Sequence, residues 1–158
     1  MKILVATDGT DFSRAAIDKC CEIVNELTSA EVKVISVYEP RHSIAAEPFA
    51  VSGEFYANMD KLSKEQADEW VNDALKIMRA KCEEAKVEFS GVVELGKPSQ
   101  AIVETASSWD ADLIVMGSHG RGFWERLTLG SVSNAVVHQA PCSVLIVKAA
   151  QTARAATA

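Results

Sequence analysis

Three glycines fall within six residues at Gly117-Ser118-His119-Gly120-Arg121-Gly122, and Gly130-Ser131-Val132-Ser133 follows shortly after. Glycine permits positive φ and removes the side chain that would keep a ligand from the backbone. A helix opening at Gly130-Ser131 would present unpaired N–H groups and the positive end of its dipole, which together favour an anion. Ser131 and Ser133 would add hydroxyl donors, and Arg121 a positive charge. The chemistry this pattern suits is phosphate binding. A plain strand–turn–helix link would use the same glycines, so the local pattern leaves both readings open. The stretch is neither a Walker loop (no GxxxxGK[ST]) nor the dinucleotide fingerprint, because no GxGxxG opens the first helix.

Other reactive side chains are sparse. Asp8 ends the first apolar run; it could touch a ligand or serve only the Asp8-Gly9 turn, where aspartate is favoured locally. His119 as a general base would need an orienting carboxylate that the sequence does not supply, so backbone is its expected contribution. His42 and His138 are isolated, and metal ligation is not expected of either. Arg14 and Arg126 read as solvated charges. Trp124 could anchor the glycine interval on the core or touch ligand. Cys20, Cys21, Cys82 and Cys142 make no CxxC pair and read as small buried hydrophobes in a reducing compartment. No nucleophile–base pair is assembled, so no catalytic residue is assigned.

The elements that must position these residues alternate strand and helix. Strands are expected at Lys2–Thr7, Glu31–Tyr38, Val87–Leu95, Asp112–Met116 and Ser143–Lys148. Helices are expected from a Ser13 cap to about Ser29, over Lys61–Lys86, from Ser99 through Ala106, and over Ser131–Gln139. The second helix should bury Ala67, Trp70, Val71, Ala74, Leu75, Met78, Cys82 and Ala85. Glu39–Met59, with Pro40, Pro48 and Gly53 and no clear period, reads as a long surface loop. The runs ILVA, DLIV and VLIV are continuously apolar, as strands covered on both faces should be. The expectation is an α/β fold: one domain over residues 1–148, an open parallel five-stranded sheet with helices on both faces. The tail 149–158 is expected to be disordered. A net charge of −6 at 158 residues excludes wholesale nucleic-acid binding and requires that any phosphate site be local and built from backbone donors. No signal peptide or membrane span is expected, which places the protein in the cytoplasm.

The spacing Gly117-x2-Gly120-x9-Gly130-Ser131, between a VATDGTDFS opening and an APCSVLIVK ending, resembles the nucleotide signature of ATP-binding universal stress proteins. The resemblance implies sheet order 3-2-1-4-5, a dimer, and ATP or AMP at the point where strand order reverses. It implies that Asp8 lies beside the adenosine, Ala6 near the base, and the Val37 backbone at the adenine edge. It implies a ribose–phosphate cradle from Met116, Gly117, His119, Gly120, Gly130, Ser131, Val132 and Ser133, and Ser118, Arg121 and Gly122 fall within the same stretch. A divalent ion, Mg2+ or Mn2+, would be held through phosphates and water. The implied function is that of a nucleotide-binding regulator or switch of the stress response; a slow ATPase and an interaction module that has lost its ligand are the alternatives. Whether the 39–59 loop acts as a lid stays open. In the implied order Ser143–Lys148 is an edge strand too apolar to be left bare, so a homodimer through that edge is expected.

Overall fold

The computed structural model describes residues 1–39, 53–82, 86–120 and 129–149. Its elements are β1 (Lys2–Ala6), α1 (Asp11–Asn25), β2 (Ala30–Tyr38), α2 (Gly53–Lys81), β3 (Val87–Leu95), α3 (Pro98–Ser108), β4 (Leu113–Gly117), α4 (Ser131–Gln139) and β5 (Ser143–Val147). All strand pairs are parallel, and the sheet order is β3-β2-β1-β4-β5. The chain winds outward from β1 to β3, then returns past β1 to form β4 and β5.

The apolar runs supply two cores, one on each face of the sheet. On one face Ile3, Val5, Val32, Val34 and Val115 meet Ile17, Cys20 and Val24 of α1 and Val71, Ala74 and Met78 of α2. On the other, Leu4, Ile35, Ile114 and Met116 meet Ile102 and Ala106 of α3 and Val136 of α4. Ile3, Leu4 and Val5 are all fully buried, as a strand covered on both faces requires. β5 lies at one edge, with Leu145 and Val147 packed toward the first core and Val144 and Ile146 toward the second. Among the described residues no helix is long and apolar enough to cross a membrane.

Several expected boundaries move. The cap of α1 is Thr10, not Ser13: Thr10 has extended backbone and its side chain accepts a hydrogen bond from the Ser13 N–H. Ser13 lies inside the helix, where its hydroxyl donates back to the Thr10 carbonyl at 2.9 Å. α1 ends at Asn25, short of Ser29. Pro98 occupies the first turn of α3, where its missing N–H costs nothing, so that helix starts one residue before Ser99. The largest change is in α2, which begins at Gly53, so residues 53–59 of the expected loop are helical. Among the described residues that part of α2 joins neither core, and Glu54, Phe55, Ala57 and Asn58 are exposed; without burial the apolar period disappears. In the buried stripe Ala67, Val71, Ala74, Met78 and Cys82 are buried, while Trp70 and Leu75 are half-buried. Ala85, residues 40–52 of the expected loop and the tail from Ala150 lie outside the described residues.

Cys20, Cys21 and Cys82 meet in the α1–α2 core, and none is disulfide-bonded. Burial, with Cys82 nearby, pushes the Cys20 thiol up from 9.0 to about 12, and burial pushes Cys21 up as well. A raised thiol pKa gives stability that is complete below the unfolded value and lost as pH climbs toward the folded one. Stability should therefore hold to about pH 9 and then fall, by at most about 1.4 kcal/mol per pH unit per thiol. Urea unfolding at pH 7.5 and 10.5 checks this: the alkaline loss should shrink in Cys20→Ala, and an undiminished loss would contradict it.

Candidate functional site

β1 and β4 are neighbours whose following helices pass to opposite faces of the sheet, which opens a crevice beyond their carboxyl ends. A cleft of about 980 Å³ lies there. Its floor is Ala6, Thr7 and Asp8 after β1, Ile35 and Val37 of β2, and Met116 and Gly117 of β4. His119, Gly120 and the start of α4, Gly130 to Ser133, form one wall. Pro98 and Ile102 of α3 form a second, and Tyr38, Glu39 and the α2 residues Met59, Leu62, Ser63, Gln66 and Trp70 a third. Ser13 lies at the base of α1.

The start of α4 has backbone donors, free among the described residues, of the kind that suit an anion. Gly130, the cap, has its N–H taken by the Ser118 carbonyl at 2.9 Å, and the first helical bond runs from Asn134 N–H to the Gly130 carbonyl at 2.9 Å. Among the described residues, the N–H groups of Ser131, Val132 and Ser133 have no backbone acceptor. They carry the positive end of the α4 dipole. The charged residues lining the cleft are Asp8 and Glu39, both acidic, so among the described residues this backbone is the electropositive feature.

Ser118 and Ser133 hold the wall together. The Ser133 hydroxyl, buried, donates to the Ser118 carbonyl at 2.9 Å and the Gly130 carbonyl at 3.0 Å. Its proton is thus committed inside the protein, and what Ser133 offers the cleft is its N–H; the expected hydroxyl donor is corrected accordingly. Ser118 is 2% exposed and does not line the cleft. Its hydroxyl lies 3.1 Å from His119 Nδ1, and its N–H donates to Val147 at 2.8 Å. Ser131, exposed, keeps its hydroxyl at the mouth of the helix. The His119 ring rests tilted against Phe12, with centroids 5.3 Å apart.

Asp8 does the local work that its turn position suggested. Its Oδ1 accepts from the Thr10 N–H at 3.2 Å and the Thr10 hydroxyl at 2.6 Å. Its Oδ2 lies toward Gly120, 2.9 Å from where a Cβ there would stand. The expected use of positive φ by the glycine cluster is corrected: that conformation occurs at Gly9 and Gly96, and not at Gly117, Gly120 or Gly130. What Gly117 supplies is space, since a Cβ would stand 2.7 Å from the Phe12 carbonyl carbon.

Ala6, Asp8, Val37, Met116, Gly117, His119, Gly120, Gly130, Ser131, Val132 and Ser133 thus share one cleft. Arg121, Gly122, His42, Trp124 and Arg126 lie outside the described residues. Among the described residues no group of three or more His, Cys, Asp or Glu side chains could hold a metal. The α2 wall, Thr7, Ser13, Ile35, Tyr38, Glu39, Pro98 and Ile102 were not foreseen. The available signal for α2 was the uncharged spacing Met59, Leu62, Ser63, Gln66, Trp70, of which only Met59 fell in the segment that read as loop.

Strand order, two cores and a cleft at the reversal point define a doubly wound α/β protein. The family model for the universal stress protein family matches residues 1–148, and the chain belongs to that family. It is 37% identical over 147 residues to universal stress protein MJ0531 of Methanocaldococcus jannaschii, covering 93% of this chain and 81% of that one. It is 33% identical over 146 residues to a universal stress protein of Thermus aquaticus, covering 92% and 97%. Among solved structures it resembles protein MJ0577, with TM-score 0.73, 26% identity and coverage of 93% and 94%. It also resembles a universal stress protein solved in complex with cAMP, with TM-score 0.63, 25% identity and coverage of 95% and 98%.

Proposed function

We propose that the cleft binds an adenine nucleotide, ATP or AMP, and that the protein acts as a nucleotide-dependent regulator in a stress response. The observation that carries this reading is one cleft joining unpaired N–H groups at the start of α4 to an apolar slot of Ile35, Val37, Pro98, Ile102 and Val132. Phosphate fits the first and a flat base the second. The cAMP complex of a relative supports the same ligand class. Asp8, at the end of β1, lines the same cleft and would lie beside the ribose of the adenosine. A divalent ion, Mg2+ or Mn2+, would be held by the phosphates and water, because Asp8 and Glu39 are the only carboxylates among the described lining residues.

The proposed role is that of a regulator, with a slow ATPase as the alternative; Asp8 accepts from Thr10, and the Ser118 hydroxyl lies beside His119 Nδ1. A cytoplasmic setting fits four cysteines with no disulfide. A homodimer through the β5 edge fits an apolar strand that, among the described residues, has one unpaired side. Leu145 and Ile146 also pack on the two cores, so lysine there would damage the fold as well as an interface. Light scattering of the unaltered protein at micromolar concentration is the cleaner test, and a monomer would end the dimer reading.

Ser131→Ala tests the phosphate end. A hydrogen bond to a charged group is worth about 1.5–3 kcal/mol, so ATP affinity should fall about tenfold or more. Adenosine affinity should hold. Equal losses for both ligands in calorimetry would remove Ser131 from the phosphate site.

A further inference from the structure

The cleft is larger than its proposed cradle uses. Small-molecule sites run to about 300–1,000 Å³, and this one, at about 980 Å³, stands at the upper end. The cradle and the slot for the base occupy the side facing α3 and α4. The opposite side is the α2 wall of Met59, Leu62, Ser63, Gln66 and Trp70, continued by Tyr38.

That wall has a definite chemistry. The buried residues of α2 begin only at Ala67, so the helix before it overhangs the sheet and its cleft-facing stripe is not consumed by the core. Leu62 lines the cleft yet is 60% exposed, an apolar side chain with unspent surface. The stripe carries no charge. The neighbouring lysines are engaged along the helix, Lys61 with Glu65 and Lys64 with Asp68, and none of these four lines the cleft. With Glu39 acidic at the rim, the described residues of this side offer a phosphate no cation. The wall is also fixed to the turn that carries Asp8. Trp70 packs so closely on Gly9 that a Cβ at Gly9 would collide with its indole.

We infer that the α2 side of the cleft is a second subsite for an uncharged flat or aliphatic group joined to the ribose side of the nucleotide. The ligand class is then an adenine nucleotide carrying such a group, in preference to a bare mononucleotide. This rests on the nucleotide reading above, which seats the base in the slot beside α3 and the phosphate at α4, with Asp8 beside the ribose. Burial of Leu62, Met59 and the Trp70 edge supplies the gain, and the uncharged stripe of described residues favours such a group over a second phosphate.

The test compares AMP with AMP bearing an N-methylanthraniloyl ester on its ribose, a flat, uncharged, fluorescent group. The ester should bind at least about tenfold tighter, and its emission should shift to the blue on binding. Leu62→Glu, at an exposed position that the fold tolerates, should bring the ratio of the two affinities close to one and abolish the shift. Equal affinities in the parent protein would overturn the subsite and leave nucleotide binding standing. A preference that survives Leu62→Glu would overturn it too, since the group would then lie elsewhere. Failure of AMP itself to bind would bring down the nucleotide reading and the subsite with it.

Discussion

Gly120→Val should abolish nucleotide binding and leave the fold intact. Gly120 is exposed and its φ is not positive, so valine strains neither backbone nor core. Its Cβ would stand 2.9 Å from Asp8 Oδ2, and its methyl groups would fill the space in which a ligand meets the backbone between His119 and the start of α4. Displacing Asp8 also disturbs the Thr10 cap, whose hydroxyl donates to the same carboxylate. Both effects act on the ligand, and a loss of at least about 100-fold, or about 2.7 kcal/mol, is expected. Calorimetry beside a thermal melt separates binding from folding. A variant that melts normally and binds as tightly as the parent would put the cradle elsewhere.

Gly117→Ala should do the reverse and strike the fold first. The added Cβ would stand 2.7 Å from the Phe12 carbonyl carbon and 2.8 Å from its oxygen, and backbone cannot swing aside as a side chain can. The first turn of α1 must lift from the end of β4. Overpacking of this kind costs about 1–3 kcal/mol. For a chain of this length each kcal/mol lowers the melting temperature by about 2–4 °C. Binding should weaken as well, because α1 carries the Thr10–Asp8 turn with it. An unchanged melting temperature would show that α1 does not rest on Gly117.

These two glycines also mark what the sequence could disclose. Their spacing marked the stretch, but not their separate surroundings: Gly117 makes room for the first turn of α1 and Gly120 for the Asp8 carboxylate, and both read alike as turn glycines. Strands were legible because burial on both faces forces unbroken apolar runs such as DLIV. The order of those strands came from resemblance, since no local pattern encodes which strand lies beside which. Thr10 and Ser13 are both acceptable caps, and only the way the chain leaves β1 chooses Thr10. The start of α2 was illegible for a physical reason: a helix that overhangs its sheet has no core to impose a period. Of the wall it contributes to the cleft only Met59 was lost with it; Leu62, Ser63, Gln66 and Trp70 fell inside the expected helix, where nothing local marks a cleft-facing side. Ser133 was read as a ligand donor from its type and place, whereas the Ser118 carbonyl that claims its proton lies fifteen residues away in sequence.

The most direct test of the central claim is titration calorimetry of AMP and ATP into protein freed of bound nucleotide by unfolding and refolding. The account predicts saturable binding of an adenine nucleotide at one site per chain. Absence of saturable heat for both ligands up to millimolar concentration, with protein that melts cooperatively, would contradict it.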